Sequence, residues 1–252
     1  MKKKLVLVII ILLFNSGFSQ ELKKENYEVV KLFIEKIKKN NIKELGLQIR
    51  YPLRREYPVS NIRNKEEFEK RYNEVFDDSL KTKIISSNIN TDWSTVGWRK
   101  IMFNNGILWL DYDGRLLSIN YESNLERDRR FKIIEQDKNL IHESLKDFNE
   151  PIHYIKTKKT KIRIDRMHNG KYRYSSWSIN SKISEKPDIT IKNGVWSPEG
   201  SGGNQRYKFT NGNYQYYCFI NILGAEDSSS AELIIHKNEK EILKELGQII
   251  RK

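Results

Sequence analysis

Residues Asp92 to Glu122 read DWSTVGWRKIMFNNGILWLDYDGRLLSINYE, and the reading of this stretch decides the fold. It holds three of the five tryptophans, Trp93, Trp98 and Trp109, and two turn dipeptides. Asn105-Gly106 and Asp113-Gly114 tolerate the positive φ angles of tight hairpins, so Trp98 to Phe103, Ile107 to Tyr112 and Leu116 to Tyr121 read as strands of a meander. On the middle strand, alternation sets Ile107, Trp109 and Asp111 on one face and Leu108, Leu110 and Tyr112 on the other. Both faces are largely apolar, which predicts a sheet covered on both sides or curled around a cavity. Asp111 is either a strand-end carboxylate, solvated or paired with a neighbouring arginine, or a pocket acid beside Trp109.

Upstream, Val29, Val30, Phe33, Ile34 and Ile37 recur at helical spacing between Glu21 and Lys39, which predicts an amphipathic helix. A short helix follows at Ile42 to Leu47. Two prolines in Arg50 to Pro58 exclude a helix interior and favour an extended segment or edge strand. Asn64, with a carboxylate three residues on at Glu67, opens a helix through Phe68, Tyr72, Val75 and Phe76. Asp78 is placed as the cap of a further short helix through Leu80, Ile84 and Ile85.

Helix, short helix, extended segment, helix and meander form an order that resembles the NTF2-like (cystatin-like) α+β cone. YPL at Tyr51 to Leu53, NKEEFEKRYNEVF at Asn64 to Phe76, and Gly97-Trp98 followed by NNGILWLD are similar to a group of uncharacterised exported bacterial proteins. The resemblance covers about residues 22 to 122. It implies a long helix packed into a curled sheet that leaves a pocket. Around the open end of such a cone, Arg50, Tyr51, Arg54, Arg55, Trp93, Trp98, Trp109 and Asp111 would suit a small anionic or sugar ligand. The competing arrangement has the tryptophans filling the core and the arginines paired with Glu56 or Asp111. Some enzymes of the cone fold use a pocket Asp–His or Tyr–Asp pair, but no histidine precedes His142 here.

Downstream of the meander, Asn124 to Phe148 is dense in charge and reads as a linking helix plus a shorter turn ending before Pro151. Short alternating runs then follow at Ile162 and Ile164, Tyr172 to Ser178, Ile189 to Lys192, Val195 to Ser197, Arg206 to Thr210, Tyr214 to Leu223 and Ala231 to Lys237. Asn169-Gly170, Asn193-Gly194, Gly200 to Gly203 and Asn211-Gly212 separate several of them, a pattern that predicts a small antiparallel sandwich or barrel. Lys240 to Ile250 fits a helix by its apolar spacing and a hairpin strand by its short Asn238-Glu239 link. The fold class is therefore α+β. Its organisation is a leader at 1–19, an NTF2-like domain at 20–122, a helical linker at 123–150 and an all-β domain at 151–252.

The leader reading rests on Lys2, Lys3 and Lys4, the apolar run Leu5 to Phe14, and small residues before Gln20, which together form a secretory signal cut after Ser19. The run is about half the roughly 20 apolar residues that a membrane-spanning helix requires. No cysteine lies near the cut, so a lipid anchor is not expected and the destination is the periplasm or the exterior. Loss of the three lysines lowers the formal charge from +13 to +10, a balance that favours acidic partners. Lys156, Lys158, Lys161, Arg163 and Arg173 form the densest basic strip. Alternation with Ile162 and Ile164 predicts that it faces solvent, either as an edge protected against aggregation or as a polyanion-binding face. Export makes nucleic acid an awkward ligand, and an acidic glycan, a lipid headgroup or an acidic protein suits the compartment.

Catalytic signatures are weak. Asp111-Tyr-Asp113-Gly114 has its glycine at the wrong position for a calcium loop, and Gly200-Ser201-Gly202-Gly203 lacks a following Lys-Ser or Lys-Thr. Four scattered histidines and one cysteine complete no zinc set, so no metal or cofactor is expected. Cys218 alone allows no intramolecular disulfide, and its strand position predicts a buried, inert thiol. The sequence thus favours an exported, non-enzymatic binding protein of the cell envelope. The alternatives are an envelope hydrolase built around Asp111, and an inhibitor or scaffold acting through the basic β-domain.

Overall fold

The computed structural model describes residues 21–97, 100–200, 203–222 and 229–250. The leader at 1–19 and Trp98 lie outside the described residues. The first half contains helices α1 (Tyr27–Lys38), α2 (Ile42–Leu47), α3 (Lys65–Val75) and α4 (Asp78–Ile85), then strands β1 (Trp93–Val96), β2 (Lys100–Phe103), β3 (Leu108–Asp111) and β4 (Leu116–Ile119). The four strands form one antiparallel sheet in chain order.

The apolar stripe of α1 buries Val30, Phe33 and Ile37, and the Phe33 ring meets Trp93 edge-on at 6.2 Å. Asn64 caps α3 by accepting from the Glu67 N–H at 2.9 Å. The cap of α4 is Asp77, not Asp78, because Asp77 has the extended backbone that lets its carboxylate reach the Leu80 N–H. At Asn104 and Asn105, φ of 41° and 54° reverse the chain between β2 and β3, and Gly114 at 78° does so before β4.

Contrary to the expectation of two covered faces, β3 is buried on one side only. Leu108 and Leu110 face the helices, whereas Trp109 and Asp111 stay half-exposed on the other side. Trp93 fills the core, 1% exposed, with its indole N–H donating to Ser87 Oγ. The interior that the sequence reading left open for a pocket is here occupied by ring packing, including Trp93 on Phe103 at 4.6 Å.

Helix α5 (Asn124–Leu140) follows, capped by Ser123, and buries only Glu126 and Ile134. Such a helix, polar nearly all round, is suited to spanning between two packed units rather than to forming one. Eight strands come next: β5 (Glu150–Thr157), β6 (Thr160–Arg166), β7 (Tyr172–Ser178), β8 (Ile189–Glu199), β9 (Asn204–Asn211), β10 (Tyr214–Ile220), β11 (Ala231–Lys237) and β12 (Lys240–Ile249). They close into an antiparallel barrel, with β12 pairing back onto β5. Barrel, not sandwich, is the architecture, and Lys240 to Ile249 is a strand.

Asn193-Gly194 does not end a strand as the sequence suggested. It forms a bulge inside β8, with Asn193 at φ 63° and a register shift against β7. The Phe209 ring lies where a side chain at 194 would start, 2.1 Å from an ideal Cβ, so only glycine fits.

Candidate functional site

The cleft that best combines size with charge holds about 460 Å3 and is lined by Arg54, Arg55, Glu56, Ile119, Asn120, Tyr121, Glu122, Glu126 and Arg130. Three segments build it: the proline-containing stretch after α2, the end of β4, and the first turns of α5. An antiparallel bridge of Leu53 with Ile62 and the Arg55 N–H on Asn61 Oδ1 hold this stretch, so Leu53 is buried while Arg54 and Glu56 are exposed. Between them Arg55 turns inward and is 8% exposed.

Four of the five N–H donors of the Arg55 guanidinium are engaged. Nε donates to Glu126 Oε1 at 2.6 Å, one terminal nitrogen donates to the Ile119 carbonyl at 2.9 Å, and the other to the Tyr121 carbonyl at 2.6 Å and to Glu126 Oε2. This bidentate pair is buried on both sides, with side chains 3% and 2% exposed. Arg71 approaches Glu126 at 3.7 Å and pairs with Glu74, which also holds Arg129. Burial opposes the charge on Glu74, but the hydrogen bonds and charge of Arg71, then Arg129, outweigh it and hold the carboxyl below its ordinary value.

Arg130 ties the cleft to the barrel. It donates to the Tyr57 carbonyl and pairs with Glu150 at the start of β5, with Glu122 at 4.0 Å. Tyr121 donates to the Asp77 carboxylate, and burial, then that carboxylate, raise its pKa. Arg54 is exposed and unpaired among the described residues, which leaves it as the free cation at the rim.

The eight residues expected around one pocket are therefore separated. Arg54 and Arg55 line the cleft. Arg50 is exposed beside β4, with its N–H on the Leu116 carbonyl, and Tyr51 donates to the Gly46 carbonyl. Burial, then the charges of Glu66 and Glu69, push the Tyr51 phenol up to about 12. Trp93 is core, Trp109 lies on the outer face of the sheet, and Trp98 lies outside the described residues. Asp111 ends β3, and its carboxylate accepts from the Asp113 and Arg115 N–H groups of the following turn and from Arg115 Nε. Local sequence reading named Arg55 and the wrong acids for it: Glu126 is the partner, 71 residues away. The available signal was the charge density of Asn124 to Phe148, which marked the segment without pairing its members.

The basic strip also divides. Lys156 and Lys158 are exposed, and Lys161 Nζ donates to the Ser181 carbonyl at 2.7 Å. Arg163 and Arg173, expected in solvent, are 6% and 1% exposed. They flank Asp165, at 2.7 Å each, and Arg163 also reaches Asp137 of α5 at 2.6 Å. Arg173 further donates to the Leu145 and Asp147 carbonyls, and Phe148 lies against both guanidiniums at 4.8 and 6.0 Å. Alternation placed these residues on the outer side of the barrel, and α5 with residues 143–148 covers that side. Burial works against the charge on Arg163, but Asp165 and Asp137 outweigh it and hold the guanidinium charged.

Cys218 is fully buried inside the barrel, and burial pushes its thiol up to about 12. Among the described residues no group of His, Cys, Asp and Glu side chains is arranged to hold a metal ion, and no helix is long and apolar enough to cross a membrane. Comparison with protein-family models, with curated proteins and with solved structures gave no match.

Proposed function

We infer that this chain is an exported, non-enzymatic binding protein of the cell envelope, and that its cleft takes a small ligand with an anionic group directed at Arg54. The supporting observation is the buried, bidentate Arg55–Glu126 pair beneath an exposed Arg54 that has no partner among the described residues. A buried pair in which four of the five guanidinium N–H donors are engaged presets the cleft walls, which favours recognition over acid–base chemistry. The helix-and-sheet arrangement of the first half supports an NTF2-like relationship at the level of element order. The charged and apolar pattern of the leader supports export.

The test is a thermal-shift screen of the chain from Gln20 onward against peptidoglycan fragments, acidic sugars and inorganic phosphate, repeated with Arg54→Ala. A ligand that raises the melting temperature of the parent and not of the variant supports the reading. A shift that survives Arg54→Ala removes the cleft. Export is checked by the N-terminal residue of the cell-derived protein, and an intact Met1 in the soluble cytoplasmic fraction would reject it.

A further inference from the structure

Beside β5 in the barrel, β12 outruns its neighbour. Thr157, Lys156 and Ile155 of β5 pair with Gly247, Gln248 and Ile249, whereas Lys240 to Leu246 pairs with β11 alone. Leu243 and Glu245 turn inward, and Glu245 accepts from the Thr157 hydroxyl at 2.6 Å. The outward set is Ile242, Lys244, Leu246 and Gln248. Ile242 and Leu246 are 54% and 64% exposed, two aliphatic side chains on one face of one strand. Ile242 is moreover the extra residue of a bulge, since Leu243 faces Ile235 and Glu241 faces His236.

Beside Leu246 runs an open groove of about 550 Å3 that includes Lys156, Gln248 and Ile250. Lys158 and Lys159 are exposed in the β5–β6 turn, as is Lys240 in the turn before β12. Among the described residues the carboxylates on this face are Glu232, which is paired with Lys244 at 2.6 Å, and the exposed Glu239 and Glu241. Among the described residues of this face the lysines outnumber the carboxylates, and the whole chain is also basic.

We propose that this ledge is a docking surface for an anionic phospholipid bilayer, with Ile242 and Leu246 entering the interfacial layer and Lys156, Lys158 and Lys159 meeting the headgroups. Aliphatic side chains that project singly from a strand find no shaped pocket on a rigid partner, but a fluid interface accepts them without one. Lysines around them match a negative lipid surface. Strand addition by another polypeptide is disfavoured because the free edge carries a bulge and lysines, the features that blunt edges. This surface is separate from the cleft and does not depend on its ligand.

The experiment is flotation of the chain from Gln20 onward, which retains every described residue, with vesicles of equal parts phosphatidylglycerol and phosphatidylcholine or of phosphatidylcholine alone. Binding is expected on the anionic vesicles, at least tenfold weaker on the neutral ones and weakened steeply between 0.1 and 0.5 M salt, as surface electrostatics require. Ile242→Asp with Leu246→Asp is expected to lower vesicle binding about tenfold with the melting temperature preserved. Lys156→Glu with Lys158→Glu should act similarly. Absence of vesicle binding at low salt overturns the proposal. So does undiminished binding by the aspartate variant, which would indicate capture of any polyanion. A dimer that the aspartate variant converts to monomer in sedimentation would instead assign the ledge to a second copy of this chain and also overturn it.

Discussion

The two outer sides of the barrel invert the usual relation between polarity and exposure. Over β6 and β7 the outward residues include Arg163, Asp165 and Arg173, and all three are buried beneath α5 and residues 143–148. Over β12 the outward residues Ile242 and Leu246 are aliphatic and exposed. The charged side is covered because each charge finds a partner there: two guanidiniums for Asp165, and Asp165 with Asp137 for Arg163. Burial of charge is tolerable only on that condition. The aliphatic side has no covering element among the described residues. Polarity along a strand therefore tells which residues share a face, and the covering element tells which face is dry.

The largest disturbance of this contrast is Asp165→Ala. It leaves two guanidiniums buried without their shared carboxylate, and the expected loss is about 3 to 5 kcal/mol in chemical denaturation, against the intact chain. Replacing Arg163, Asp165 and Arg173 together by Met, Leu and Met sharpens the comparison, since a well-packed apolar triad is expected to recover most of that loss or exceed the parent. If the single and triple variants are equally unstable, packing rather than charge pairing holds α5 to the barrel.

Next in size is Gly194→Ala in the β8 bulge, where the new Cβ meets the Phe209 ring. Overpacking of this kind is expected to cost about 1 to 3 kcal/mol, and Phe209→Leu in the same chain should recover part of it. Smaller is Glu74→Gln, at about 1 kcal/mol near neutral pH, from a weakened hydrogen bond to Arg71. Because the folded carboxyl of Glu74 is held below its ordinary value of 4.5, its contribution is complete above that pH and is lost as pH falls through the lower folded value. The gap between parent and Gln variant should therefore close on acidification below pH 4.5, and a gap that widens there would contradict the assignment.

The smallest effect is expected on the bare side. Leu246→Lys changes an exposed side chain and should move stability by no more than about 0.5 kcal/mol. A loss comparable to that of Asp165→Ala would mean that β12 is covered after all. Cys218 gives a check without mutation: buried and protonated, it should resist thiol reagents in the folded protein and react once the chain is unfolded.

Much of the chain's layout could be read in advance. The stripe of Val30, Phe33 and Ile37, the Asn64 cap, the asparagine and glycine reversals at 104–106 and 114, and the two-residue alternation of β6 all arise from interactions within a few residues. The candidate site was less legible. Arg54 and Arg55 were found, but Glu126 and Arg130 were not, because their pairings span 71 and 20 residues and nothing in the intervening sequence encodes the distance. Trp93 was drawn into the pocket because aromatic richness alone does not distinguish a wall from a filling.

Sequence by itself determined most of the turns and segment types and which side chains share a face, since these follow from φ preferences and short-range periodicity. The strand at Lys240–Ile249 and the bulge at Asn193-Gly194 needed their partner strands. Tertiary structure alone decided that the eight strands close by pairing β12 with β5, that Arg163 and Arg173 are dry, and that Ile242 and Leu246 are not. Those outcomes depend on which distant segment lies over each surface, and the free energy of burying a residue is set by that neighbour rather than by the residue's own neighbours along the chain.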